Sequence, residues 1–420
     1  MFKERYPDIK CSRSSFHKYK PLNVKKPQSK QDCCPICKES RRYLPHLLGH
    51  RDNLDTNDRR ALAGFLEHKR LVAARSDDYE RQLERLAEGT ALITMDFKAN
   101  ITLGGGAEED SHVFFSAPQR TVFGLVAYFK LGGEIYKVFF TIVSPVIMHD
   151  TKTVVEILDT CVLGHPIFEH FKCKNLSFWM DNAPGHFRTK EMIAGFYDLE
   201  KSTGMNVEFN YFPEYHGKSE CDRHFGLISR IYTEHKSKAI NPDITTTDEY
   251  LNMYKGAIRR FGGNVIPTVG GNYDELLPES GTKLNVIAQE FSYEGAEALM
   301  SGNDSDAQKA GLPLPYIQRV VKAGPRFKFN YFYSFKFSSS GGKPTLRARQ
   351  HCSSRRMNGD DPQDPSDLEI PLQSWKTFPI TLENVRKDDY HANLGVLTSV
   401  RPKYSSLSRT LFRISFHETA

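Results

Sequence analysis

A chain of 420 residues is longer than a single hydrophobic core ordinarily supports, which predicts two or three domains. The composition, 39% hydrophobic and 26% charged, is that of a globular protein. No run approaches the roughly eighteen apolar residues of a membrane span, and "MFKERYPDIK" lacks a signal peptide's apolar segment, so an intracellular protein without a membrane partner is expected. The eight cysteines (Cys11, Cys33, Cys34, Cys37, Cys161, Cys173, Cys221 and Cys352) are scattered apart from one N-terminal cluster, which points to reduced thiols and one metal site, not to a disulfide framework. The net charge of +6 is modest but unevenly placed. Residues 1–30 set many cations, among them Lys18, Lys20, Lys25 and Lys26, against only Glu4 and Asp8.

Residues 1–54 are Pro-, Lys- and Cys-rich and read as a basic linker with a zinc module. From Thr56 the pattern changes. "TNDRRALAGFLEHKRLVAARSDDYERQLERLAE" spaces Leu62, Phe65, Leu66, Val72, Leu83 and Leu86 near the helical period, predicting one long charged amphipathic helix over 55–88 that Gly89 ends. "TALITMDF" (90–97) predicts a buried strand, and "TVFGLVAYFKLGGEIYKVFFTIVSP" (121–145) two strands joined by a Gly-Gly hairpin. "DTKTVVEILDTCVL" (150–163) predicts a helix, "NLSFWMDN" (175–182) a strand, "TKEMIAGFYDLEKSTG" (189–204) a helix closed by glycine, "NVEFNYFP" (206–213) a strand and "KSECDRHFGLISRIYTEHKSKA" (218–239) a helix. This order, over 89–265, gives a mixed sheet with helices on both faces, the α/β order of the RNase H-like fold. Residues 266–420 read as an α+β accessory region. In it "NVIAQEFSYEGAEALM" (285–300) and "PLPYIQRVVKAG" (313–324) predict helices, and "SSRRMNGDDPQDPSD" (353–367) a polar loop. "RFKFNYFYSFKF" (326–337) interleaves Lys328 and Lys336 with aromatics, a composition that suits a phosphate backbone and unpaired bases, or an amphipathic strand.

Three acids fall where this order brings element ends together. Asp96 follows the apolar run "ALITM", Asp181 ends "LSFWM", and Asp222 lies in the first turns of the helix after "HGKSE", where Glu220 competes with it for the same role. Each has an ordinary alternative: a lone Asp after a strand is a turn or cap residue, and a helix N-terminus welcomes acids through its dipole. Three carboxylates gathered together repel one another unless cations separate them. Oxygen ligands select hard divalent ions, here two Mg²⁺ or Mn²⁺. A metal pair about 4 Å apart activates a water or 3′-hydroxyl and stabilises the leaving oxygen in phosphoryl transfer.

"MDF", "MDNAPGHF" and "YFPEYHGKSECDRHFG" resemble the motifs of DDE/DDD-type transposases of eukaryotic DNA transposons and of host proteins derived from them. The resemblance covers roughly residues 10–240, taking in "SRSSFHKYKPLNVKK" and "CCPICK" upstream. It implies an Asp96, Asp181 and Asp222 triad, with Asn182, His186, His216, Lys218 and Glu220 lining the site and His216 or Lys218 touching the scissile phosphate. It further implies DNA cleavage and strand transfer, transposon-end and target DNA as partners, a dimer or larger synaptic assembly, and a nuclear location.

In the cysteine cluster, Cys34-Pro-Ile-Cys37 can donate two thiolates to one Zn²⁺, with His46 and His50 at a His-x3-His spacing to complete the set. The resemblance makes His68, on the long helix, a rival ligand. The gap of eight residues between Cys37 and His46 leaves no room for a ββα finger that reads bases.

Two other functions remain open at this point. An RNase H-like nuclease would want an acid on the first helix, which Glu156 supplies; a 3′–5′ exonuclease would want Asp-x-Glu where Asp96 is followed by Phe97 and Lys98. A catalytically inactive, transposase-derived DNA-binding protein is the alternative of another class.

Overall fold

The computed structural model describes residues 34–104, 117–147, 149–183, 185–217, 220–238, 243–271, 273, 277, 284–292, 317–323, 332–340, 343–349 and 376–386. Two helices come first, α1 (Pro35–Gly49) and α2 (Thr56–Glu84), and Asp55 caps α2 by accepting from the Asn57 and Asp58 amides. The hairpin of β1 (Thr90–Thr102), β2 (Gln119–Leu131) and β3 (Glu134–Ser144) follows. Its second turn, Gly132-Gly133, takes φ of 60° and 85°, which side chains resist. Then come α3 (Thr151–Ile157), running on as a wider turn to Leu163, and α4 (Ile167–His170), β4 (Asn175–Met180), α5 (Lys190–Thr203), β5 (Asn206–Tyr211), α6 (Glu220–Lys236) and α7 (Thr247–Arg260). The remaining elements are strands: β6 (Asn264–Val265), β7 (Asn285–Glu290), β8 (Ile317–Ala323), β9 (Ser334–Ser340), β10 (Lys343–Arg349) and β11 (Lys376–Arg386).

All the strands join one mixed sheet of 11, in the order β6-β7-β3-β2-β1-β4-β5-β9-β10-β11-β8. β1, β2 and β3 pair antiparallel, and β4 and β5 add in parallel beyond β1. Alternate residues face two separate cores. Ile93, Met95, Phe178 and Met180 pack with α3 and α5, while Leu92, Trp179 and Val126 pack with α6 and α7.

Two helices expected in the C-terminal third are strands instead. "NVIAQE" is β7, parallel to β3, with Val286, Ile287 and Ala288 all fully buried. A short unbroken apolar run suits a strand covered on both faces as well as it suits a helix, and the open edge of β3 decides between them. "IQRVVKA" is β8, antiparallel to β11. The described residues of this region extend the sheet: β9 pairs with β5 through Phe209 and Phe335.

Helix α2 crosses the α6 side of the sheet, held by Arg75, whose side chain is fully buried. Its guanidinium donates to the carbonyls of Tyr211 (3.2 Å) and Tyr333 (3.2 Å), to Ser334 Oγ (2.9 Å) and to Asp78 (3.0 Å), and lies over the Trp179 ring. Gln82 accepts from Trp179 Nε1 (2.9 Å) and Ser177 Oγ (2.8 Å). Arg75→Ala would remove the guanidinium from the buried Asp78 carboxylate, the Tyr211 carbonyl and Ser334 Oγ at once. An expected loss of about 3–5 kcal/mol should appear as a lower denaturant midpoint. Adding Asp78→Ala should cost much less than the sum of the two single losses.

Candidate active site and metal centre

The parallel pairing of β1 and β4 sets Met95 opposite Met180, so Asp96 and Asp181 leave adjacent strands side by side. Both lie on the α6 side, where Asp222 occupies the first turn of that helix. Two contacts fix the helix start. Cys221 Sγ lies 3.1 Å from the Thr94 carbonyl. Phe225, one turn after Asp222, fills the space that a side chain at Gly124 would need: a Cβ there would stand 2.3 Å from the ring. Gly124 is the cross-strand partner of Asp96, so this bare position lets α6 approach the acid.

Asp96 and Asp181 are half-buried and Asp222 is exposed, so the cluster opens to solvent on the helix side. Burial, then Asp222 and, more weakly, Asp181 push the Asp96 carboxyl up to about 7, against the amide of Phe97, which it accepts at 2.8 Å. Burial first and Asp222 last raise Asp181, while its bond from the Asn182 amide (2.6 Å) pulls the other way. The Asp222 carboxylate thus disfavours the charge of both strand acids, and Asp181 that of Asp96.

Glu220, the rival third acid, is turned elsewhere. It pairs with Lys137 at 3.4 Å and with Arg223, and its charge is felt by Tyr79 and Tyr128. Glu156, which an RNase H reading would recruit, pairs with Lys152 at 3.7 Å on α3. Asn182 is buried, and its Oδ1 has no hydrogen-bond partner among the described residues. His186 lies beside the site on the other side of β1, edge-on to Phe97 and near His149, which stacks on Phe97 with centroids 4.3 Å apart. Burial, then His149, lowers His186 to about 4, leaving a neutral imidazole. His149 carries no sequence signal, since a lone histidine before a helix is unremarkable. Lys218 lies outside the described residues, as do Lys18, Lys20, Lys25, Lys26 and Lys328.

The second cluster corrects the zinc expectation. His46 and His50 stack on each other on one side of α1, with centroids 4.6 Å apart. The nitrogens facing the thiols are those of His68 and His216. His68 Nε2 stands 3.3 Å from Cys34 Sγ and 3.2 Å from Cys37 Sγ, and His216 Nε2 stands 3.5 Å from Cys37 Sγ and 3.2 Å from His68 Nε2. All four donor atoms lie within 4.8 Å of one another. A Cys-x-x-Cys on the first turn of α1 needs partners from above its own helix, whereas a His-x3-His on the same helix points along it. The His216 imidazole thus faces the thiols and His68, while its neighbour Gly217 packs against Asp181. Burial and then Cys34 hold the Cys37 thiol up at about 11, and burial and then His216 lower His68 to about 4. Two thiols and two neutral imidazoles are a donor set that can hold a metal ion and that suits zinc.

Among the described residues of "NYFYSFKF", Phe332 and Phe335 are not free to stack on bases. Phe335 is fully buried against Phe209 and Tyr211, and Phe332 packs on Phe378. Lys336 sits half-buried in the sheet opposite Glu208 and Arg347, and burial lowers its pKa.

The chain is thus a mixed α/β protein with an acid cluster where the parallel pairing of β1 and β4 ends, and a Cys₂His₂ group beside it. Residues 76–267 match a family described as a domain of unknown function (DUF8701). That segment holds Asp96, Asp181, Asp222 and His216, and leaves Cys34, Cys37 and His68 ahead of it. No curated protein and no solved structure matches the chain significantly. No helix among the described residues is long and apolar enough to cross a membrane.

The raised Asp96 pKa sets the sign of a pH effect. An exposed Asp releases its proton near 3.8 and the folded one near 7, so between these values the unfolded chain binds fewer protons and stability falls as pH rises. In chelator-treated protein, Asp96→Asn should raise stability at pH 8 by about 2–4 kcal/mol, a gain that fades below pH 4. Melting temperatures of both proteins across that range test it. Gly124→Ala should destabilise by about 1–3 kcal/mol by driving Phe225 and α6 off the sheet.

Proposed function

We propose that the chain is a transposase, or a protein derived from one, that cleaves and joins DNA at an Asp96, Asp181 and Asp222 triad in an RNase H-like fold. The carrying observation is the convergence of these three acids from β1, β4 and α6, with Asp96 and Asp181 raised by burial and by the charge of Asp222. Mutual repulsion in a half-buried site is a cost with no structural return, and divalent cations remove it. The antiparallel β3-β2-β1 group followed by parallel β4 and β5 supports the fold reading. So do the motifs "MDNAPGHF" and "YFPEYHGKSECDRHFG".

The residues fit a pair of hard ions. Donors are carboxylates only, and the buried Asn182 Oδ1 beside Asp181 has no other partner among the described residues. Two Mg²⁺ or Mn²⁺ ions held by Asp96, Asp181 and Asp222 would activate the attacking water or 3′-hydroxyl and stabilise the leaving oxygen. The chain's own contribution is placement. β1 and β4 fix two of the acids, Phe225 seats the helix bearing the third, and Asp222 keeps the site open to a duplex from the α6 side. Glu220 is spent on Lys137 and Arg223 and takes no part. DNA ends and target are the partners this reading requires, in a synaptic assembly of two or more chains and in a nuclear setting.

The inactive DNA-binding alternative predicts no chemistry. Incubation with supercoiled plasmid and with branched duplexes in Mn²⁺ decides between them. Nicking or strand joining is expected, reduced by roughly 100-fold or more in Asp181→Asn and abolished by chelator. Equal activity in wild type and Asp181→Asn, or none in either, would contradict the catalytic reading.

A further inference from the structure

The four-donor cluster joins parts of the chain that are far apart in sequence and meet beside the triad. Cys34 is the residue before α1, Cys37 lies in its first turn, and His68 sits in the middle of α2. His216 comes from the loop between β5 and α6, separated by 179 residues from Cys37. The next residue, Gly217, rests on the active-site acid: a Cβ there would lie 3.4 Å from both Cβ and Oδ1 of Asp181. The preceding residue, Tyr215, is exposed and takes φ of 62°, a left-handed backbone that a bulky side chain disfavours. Within the loop, the His216 amide donates to the Pro213 carbonyl at 2.9 Å. An exposed turn with a residue in this conformation needs an anchor, and the His216 imidazole is placed to be one.

Helix α1 needs an anchor as well. Its apolar contacts form a satellite cluster of Leu47, Leu54, Ala61 and Phe65, apart from the two main cores. So small a cluster rarely fixes a helix, and a structural metal is a common remedy.

We propose that Cys34, Cys37, His68 and His216 bind one tetrahedral Zn²⁺ that clamps α1 and α2 to the β5–α6 loop and so holds Gly217 over Asp181. Four of the six donor separations are 3.2–3.5 Å and all lie within 4.8 Å, close to the edge of a tetrahedron built on zinc bonds of about 2.0–2.3 Å. Thiolates with imidazoles select zinc over the hard ions of the carboxylate site, so the two centres take different metals. The ion is a structural strut whose two sides are the N-terminal helices and the loop leading into the helix of Asp222. Its consequence for catalysis rests on the triad reading. The zinc site itself does not.

The test uses the full chain, reduced, stripped with chelator and reloaded with Zn²⁺ or Co²⁺. Wild type and a His46→Ala/His50→Ala double variant should each bind one zinc and give the intense visible bands of tetrahedral S₂N₂ cobalt. His216→Ala should bind roughly tenfold or more weakly and lose that spectrum. His216→Cys, which keeps a ligand, should restore tight zinc with a shifted spectrum. Amide exchange supplies the second readout: residues 212–217 should be protected with zinc and exposed after chelation or in His216→Ala, and protected again in His216→Cys. Wild-type affinity in His216→Ala, zinc loss in the His46/His50 variant, or loop exchange indifferent to zinc would overturn the proposal. No readout involves DNA or Mn²⁺, so its failure would leave the triad standing. Loss of the triad's chemistry would likewise leave the zinc strut standing.

Discussion

One register governs the molecule's chemistry: β1 and β4 run parallel with Met95 opposite Met180. Because side chains alternate, the same pairing that buries both methionines in the core shared with α3 and α5 sends the following aspartates to the opposite side. A slip of one residue would bury the carboxylates among Phe178, Phe196 and Phe209. Hydrophobic burial therefore holds two carboxyls side by side, and that burial, with the Asp222 charge beside them, raises their proton affinity.

Around that pair, other elements are seated by contacts that leave little play. Gly124 gives up its side chain to the Phe225 ring, and Cys221 meets the Thr94 carbonyl, so the start of α6 is pinned at two points next to Asp222. Arg75 ties α2 to the end of β5 and to β9 at once. The loop that follows β5 is thus bracketed by Arg75 on one side and by the Cys₂His₂ group on the other. Helix α2 supplies both Arg75 and His68, and so links the sheet, the loop and the N-terminal helix. This explains why a long, heavily charged helix, with little apolar surface of its own, is part of the fold.

Much of this was legible in the sequence because it rests on local rules. Asp55, Asp150 and Thr189 cap their helices as their residue types predict, and Gly204 closes α5 in the left-handed conformation. The acids were legible because two follow apolar runs, "ALITM" and "LSFWM", and the third opens a helix, although β1 itself continues past Asp96 to Thr102. What escaped depends on tertiary partners. His216 reads as an active-site loop residue until α1 and α2 are folded beside it, and its true neighbours lie more than a hundred residues away. β7 and β8 look helical in isolation and become strands because the sheet has edges to receive them. The cations and aromatics of 326–337 look like a nucleic-acid platform, yet in its described part alternation turns Phe335 into the core and leaves Lys336 paired across the sheet with Glu208. The resemblance favours Asp222 over Glu220 by its place four residues after Lys218, and the contacts of Glu220 with Lys137 and Arg223 are what no spacing reveals.

The central claim is that Asp96, Asp181 and Asp222 act as one cation site. Calorimetric titration of Mn²⁺ into zinc-loaded protein at pH 8, in parallel with Asp181→Asn, tests it most directly. The account predicts saturable binding in the wild type, with proton release as the Asp96 carboxyl loses its remaining proton, and neither signal in the variant. Identical isotherms for the two proteins, with DNA present as well as absent, would mean that the acids are three separate turn and cap residues and that the cluster has no metal to hold.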